Sequence, residues 1–122
     1  MQVTQLNHTA IPVADLDRSI RFYEDVLGLK QIPRPDFGFP GAWFRLGVDQ
    51  ELHMIARENT WDEPLWDRHF ALMIDDSPVF AAHLTAKGVE FRGPSNRPDG
   101  ATQIFFRDPD GHVVELCTPA TS

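Results

Sequence analysis

Apolar and polar residues alternate with a period of two from about residue 3 to residue 13, where Asn7, Thr9, Ile11 and Val13 interleave with Leu6, His8, Ala10 and Pro12. Alternation places successive side chains on opposite faces of an extended chain, so this segment is expected to be a strand. The period then lengthens. Leu16, Ile20, Tyr23 and Leu27 form one apolar stripe and predict a helix, with Asp15 as its N-cap and Gly28 as the left-handed residue that stops it. A second switch follows Phe70, Leu72 and Ile74: a helix is expected from Pro78 to Lys87, capped by Ser77, with Phe80 and Leu84 on one face and Gly88 as its stop. WFRLGVDQELHMIA at 43–56 and IFFRDPDGHVVELC at 104–117 each read as two strands around a tight turn.

These elements are two copies of one unit. NHTAIPVADL at 7–16 aligns with RHFALMIDDS at 68–77, so that His8 falls on His69 and Ala10 on Ala71, at an offset that stays near 61 residues. In the closing strand pairs His53 falls opposite Glu115. Each copy reads β, α, β, β, β, which makes the fold class α+β. Module 1 is expected over about 1–57 and module 2 over about 68–122, within a single domain of 1–122. The connector at about 58–67 is polar and carries Pro64. Its two tryptophans, Trp61 and Trp66, either cover apolar surface or line a ligand cavity.

Composition narrows the function. With 11 basic and 18 acidic side chains the formal charge is −7. Nucleic acid is therefore an unfavourable partner, because that affinity rests on cations displacing counterions from phosphates. A single cysteine, Cys117, excludes an intrachain disulfide and a cysteine-rich zinc site. Its use fits a reducing compartment, and a cytoplasmic location is expected. The start MQVTQLNHTA has neither the basic beginning nor the apolar run of a signal peptide, and no segment is long and apolar enough for a membrane span.

Strand parity singles out four side chains. His8 shares its face with Ala10 and His69 with Ala71, while Ile11, Val13, Phe70, Leu72 and Ile74 point the other way, toward the helices. In the closing strands His53 alternates with Leu52 and Met54, and Glu115 with Val114 and Leu116. If the two sheets curl toward each other, His8, His53, His69 and Glu115 converge inside one concave surface. Three imidazoles and a carboxylate suit a divalent transition metal such as zinc, nickel, cobalt, iron or manganese, with room for water or substrate. Glu115 is also the candidate to leave the metal and move a proton. A lone histidine on a strand is ordinary filler, but two equivalent pairs in a repeat are not. His83, mid-helix, and His112, in the turn DPDGH, lack the pattern and read as structural or solvated. Cys117 reads as small packing.

Taken together, HTAIPVADLDRSIRFYEDVLGLK, RHFALMIDD and FFRDPDGHVVEL resemble the vicinal oxygen chelate superfamily, the glyoxalase, bleomycin-resistance and dioxygenase group. The resemblance implies paired βαβββ modules in a cupped, eight-stranded mixed sheet around a metal. It also implies a homodimer with sites at the subunit interface. The family's ligand positions, on the first and last strands of each module, fall on His8, His53, His69 and Glu115. The activity implied is that of a metal-dependent lyase or isomerase acting on a small oxygenated, metal-chelating substrate through an enediolate-type intermediate. In that reading Glu115 is catalytic, while Trp43, Trp61, Trp66 and Arg97 bind substrate. Glyoxalase I usually has glutamate or glutamine where this chain has His53, and some members carry an arginine for glutathione where it has Pro12. One alternative is a fosfomycin-type thiol transferase or another antibiotic-modifying enzyme, with His53 outside the metal shell and an anion near Arg92 or Arg97. The other is a non-catalytic small-molecule-binding protein. Arg92, Arg97 and Arg107 either bind an anion or are solvated surface.

Overall fold

The computed structural model describes residues 1–121, which divide into two compact units, Met1–Trp61 and the residues from Asp62 onward. The first unit contains β1 (His8–Val13), α1 (Leu16–Leu27), β2 (Gln31–Ile32), β3 (Gly41–Leu46) and β4 (Gln50–Ala56). The strands form a mixed sheet in the order β1-β4-β3-β2, with β1 parallel to β4 and the other pairs antiparallel. Alternation decides what is buried: Ile11, Val13, Ala42, Phe44, Leu52 and Met54 are at most 5% exposed and make one face apolar. The first strand begins at His8, five residues later than its alternation predicts. Residues 3–7 are exposed, and Glu51 N–H donates to the Asn7 carbonyl at 3.2 Å at the end of that stretch. Alternation alone makes no ladder without a partner strand.

α1 starts and stops where its sequence signals lie. The Asp15 carboxylate accepts from the Arg18 N–H at 3.1 Å, and Gly28, at φ 65°, donates its N–H back to the Glu24 carbonyl at 3.0 Å. Its buried line is Ser19, Tyr23 and Val26 rather than the expected Leu16, Ile20, Tyr23 and Leu27, whose three leucine and isoleucine members are only half-buried. A reading centred on apolar residues passes over Ser19, a polar residue with no exposed surface. Asp15→Ala is expected to lower stability by about 1 kcal/mol, as loss of an N-cap does, measured by urea unfolding.

The second unit repeats the plan with β5 (His69–Met73), α2 (Ser77–Ala86), β6 (Phe91–Asn96), β7 (Thr102–Arg107) and β8 (Val113–Cys117), in the spatial order β5-β8-β7-β6. Again the first and last strands run parallel. Its core holds Leu84, Ala101, Ile104, Phe106, Val114 and Leu116, none with measurable exposure. The expected cap of α2 is one residue out. Asp76 accepts from the Val79 N–H at 3.1 Å, which puts Ser77 in the first helical position, and the Ser77 hydroxyl instead bonds Thr102 Oγ1 of β7. The carboxylate wins the cap because the serine is spent on the sheet. α2 closes at Ala86, with Lys87 as its C-cap and Gly88 following at φ 73°.

DPDGH is a side-chain-built turn. Asp108 Oδ1 accepts from the N–H groups of Asp110 and His112, both at 2.9 Å, and holds β7 against β8. His112, structural or solvated by its sequence reading, is buried there. Among the described residues no helix is long and apolar enough to cross a membrane.

Candidate functional site

Each unit brings two of the four expected donors together on the sheet face opposite its apolar layer. In the first unit the parallel register sets Ala10 beside His53, so His8 and His53 sit diagonally on neighbouring strands. Their rings stack at 4.1 Å between centroids. Trp43, paired with His53 across β3 and β4, stacks on the other imidazole's neighbour in turn, at 4.0 Å and 1° from parallel to His53. In the second unit the same diagonal recurs, with Ala71 beside Glu115 and His69 Nε2 at 2.8 Å from Glu115 Oε1. Phe105 stands where Trp43 does, paired with Glu115 and edge-on to His69 at 5.2 Å.

Hydrogen bonding fixes how these donors are presented. A carbonyl can only accept, so the 3.0 Å contact between His69 Nδ1 and the Trp66 carbonyl places the proton on Nδ1 and leaves Nε2 as the lone-pair nitrogen. This nitrogen and the Glu115 oxygen 2.8 Å away are the two groups of the pair that can donate to a cation. An outer carbonyl orienting a ligating histidine is the usual second partner in metal sites. Glu115 is 5% exposed, and its other oxygen accepts from Gln103 Nε2 at 3.1 Å, so the carboxylate is held at both ends. His8 Nδ1 lies 2.8 Å from Asn7 Oδ1, which likewise leaves its Nε2 available.

His53 is turned differently. Its Nε2 lies 2.8 Å from Glu51 Oε1, so Nδ1 is the nitrogen left to donate. Glu51, whose other oxygen is 3.6 Å from Arg45 Nη1, was not among the residues singled out from sequence. The signal was present, because Glu51 precedes His53 by two residues and parity puts both on one face. Each pair has side chains of the kind a divalent transition metal binds: His69 and Glu115 in the second unit, and His8 with His53, the latter through Nδ1, in the first. Among the described residues no three His, Cys, Asp or Glu side chains gather in a group that could hold a metal ion.

The remaining candidates divide. Trp43 joins the His8–His53 stack. Trp66 carries two guanidiniums on its ring, Arg92 at 3.7 Å and Arg107 at 4.3 Å. Arg107 also donates to the Pro64 and Gly111 carbonyls at 2.9 and 2.6 Å and lies 3.4 Å from Glu63, so it ties the connector to the DPDGH turn. Trp61 ends the first unit, half-buried. Arg97 is held by Asp99 through two hydrogen bonds, which push the guanidinium further up and keep the Asp99 carboxyl below its ordinary range. Burial, then the charge of Glu115, pushes the Cys117 thiol up, which keeps it un-ionised as a packing group.

A repeated βαβββ unit with a diagonal pair of polar, metal-competent side chains on each inner strand pair defines the class: a vicinal oxygen chelate fold. The chain belongs to the Glyoxalase/Bleomycin resistance protein/Dioxygenase superfamily, whose family model matches residues 5–116. It is 29% identical to glyoxylase I 4 of Arabidopsis thaliana, over 96% of this chain and 72% of that one. It is 30% identical to the lactoylglutathione lyase of Salmonella typhimurium, over 92% and 90% of the two chains. Among solved structures it is similar to an antibiotic binding protein from Streptomyces, with a TM-score of 0.80 at 27% identity, covering 98% of this chain and 99% of the other.

Proposed function

We propose that this chain is a metal-dependent lyase or isomerase of the glyoxalase type, acting on a small oxygenated substrate that chelates a divalent transition ion. The observation that carries the reading is the His69–Glu115 pair, with its imidazole proton fixed on Nδ1 by a backbone carbonyl and its carboxylate braced by Gln103. Similarity to the Salmonella lactoylglutathione lyase supports the reaction class. His8, His53, His69 and Glu115 are the proposed ligands. When bound, the ion supplies a Lewis acid that polarises a carbonyl and stabilises negative charge on oxygen. Glu115 is the proposed base, taking a proton from the carbon beside that carbonyl at Oε1 and returning it to the neighbouring carbon. Gln103 keeps the carboxylate aimed while this happens. The family's homodimer provides a subunit interface at which one pair meets the complementary pair.

The experiment is metal analysis of protein loaded with zinc, nickel, cobalt, iron or manganese, followed by assay with adducts of 2-oxoaldehydes and small thiols. One ion per expected site and solvent exchange of the substrate's carbon-bound proton are the expected results. A second reading, thiol transfer to an epoxide with three ligands, is favoured by the engagement of His53 Nε2 with Glu51. It predicts that His53→Ala leaves metal content unchanged, whereas the first reading predicts a fall. A protein that takes up no ion, like a simple antibiotic binder, would sink both.

A further inference from the structure

The loop between β2 and β3 builds a cationic, aromatic cluster that none of the metal chemistry uses. Arg34 lies over two rings, its Cζ 4.9 Å from the centroid of Phe37 and 5.0 Å from that of Phe39, and Arg57 lies over Phe39 at 5.6 Å. Phe37 and Phe39 stack at 5.9 Å, and both are exposed. Phe37 then packs on Trp43 at 6.0 Å, Trp43 on His53 at 4.0 Å, and His53 on His8 at 4.1 Å. One continuous strip of rings thus runs from the two guanidiniums to the candidate metal-binding pair.

The guanidiniums lack the partners that this chain could easily supply. There are 18 acidic side chains against 11 basic ones, and Arg45, Arg97 and Arg107 each have a carboxylate within 4 Å. Among the described residues neither Arg34 nor Arg57 forms such a pair. Arg34 spends one bond on the Phe39 carbonyl, at 3.1 Å from Nη1, and its buried Nε has no acceptor. Arg57 makes one long bond, 3.3 Å, to the Ala56 carbonyl. An ideal Cβ at residue 41 would stand 2.5 Å from the Met54 carbonyl and 2.9 Å from Arg34 Cζ and Nε, so the close approach of β4 calls for glycine there and the same space lets the guanidinium lie over β3. A charged fork with unused donors, set over exposed rings and kept clear of carboxylates, is what recognition of an anion with a flat apolar body requires.

We infer that Arg34 and Arg57 form an anchor for an organic carboxylate, with Phe37, Phe39 and Trp43 as the wall along which its apolar body lies. This names the substrate class of the site proposed above and rests on that reading only for the link to chemistry. The carboxylate takes the unused Arg34 and Arg57 donors, and the body extends over the ring strip toward His53.

The test is calorimetric titration of metal-free protein with 3-phenylpropanoate and with its uncharged amide, paired with Trp fluorescence. The carboxylate is expected to bind at least about tenfold more tightly than the amide, the value of a charge-assisted hydrogen bond. Arg34→Gln and Arg57→Gln should each remove most of that difference, while Arg34→Lys restores part of it. Equal binding of acid and amide, no saturable binding of the acid, or wild-type affinity in both glutamine variants would overturn the inference. Arg57 is exposed, so R57Q decides the matter if R34Q fails to fold. Two cross-controls separate this from the metal reading: R34Q should hold metal like the wild type, and His69→Ala should bind 3-phenylpropanoate like the wild type.

Discussion

His69→Ala is expected to lower divalent-metal affinity by roughly a hundredfold or more, so that the variant emerges from gentle purification with little bound ion. The size follows from its place. Changing even an outer partner of a ligating histidine costs about 10 to 100-fold in metal affinity, and His69 is proposed as the ligand itself. Its loss also leaves Glu115, 5% exposed, without the imidazole 2.8 Å away. The fold should survive, because the His69 side chain is 24% exposed and lies on the face opposite Leu84, Ile104 and Phe106. Elemental analysis beside circular dichroism checks both halves of the statement. A folded H69A protein with the wild-type complement of metal would mean that the ligand assignment is wrong. Glu115→Gln offers a milder comparison, since it keeps the shape and a partner for Gln103 while removing the charge that a cation needs.

Strand parity carried most of what was legible beforehand. Once the two copies were aligned, His8 with His69 and His53 with Glu115, each donor's face followed from the residues that flank it, and the registers place them on that face. What escaped was set by competition between side chains for the same backbone groups or the same space. Ser77 looked like a cap, but Asp76 occupies that role and the serine reaches Thr102. Ser19 is buried through the approach of α1 to its sheet, which apolar periodicity does not register. Trp66 and Arg97, which the resemblance implies as substrate contacts, also have neighbours that sequence did not pair with them, Arg92 and Arg107 over the Trp66 ring and Asp99 on Arg97. Glu51 shows the reverse: its parity with His53 was visible, and only the 2.8 Å contact gave it meaning.

Adjacent residues on β7 provide the sharpest test of that parity. Phe106→Ala is expected to cost about 3 to 5 kcal/mol, the usual penalty for emptying a phenyl ring's place in a packed core, because Phe106 has no exposed surface. Against a total stability of about 5 to 15 kcal/mol for a domain, this is enough to leave a visible unfolded fraction near physiological temperature. Phe105 is one residue away on the opposite face, half-buried and edge-on to His69. Phe105→Ala should cost only about 1 kcal/mol, near the centre of the ordinary range for single substitutions. Its effect should fall on metal retention instead, through the imidazole it packs against. Urea unfolding of the two metal-free variants measures the contrast directly, with unchanged m-values confirming that only the folded state has altered. Equal costs, or a larger loss for F105A, would mean that β7 is paired one residue out of register. In that case Gln103 and Phe105 would turn toward the helix, and Gln103 could no longer brace Glu115.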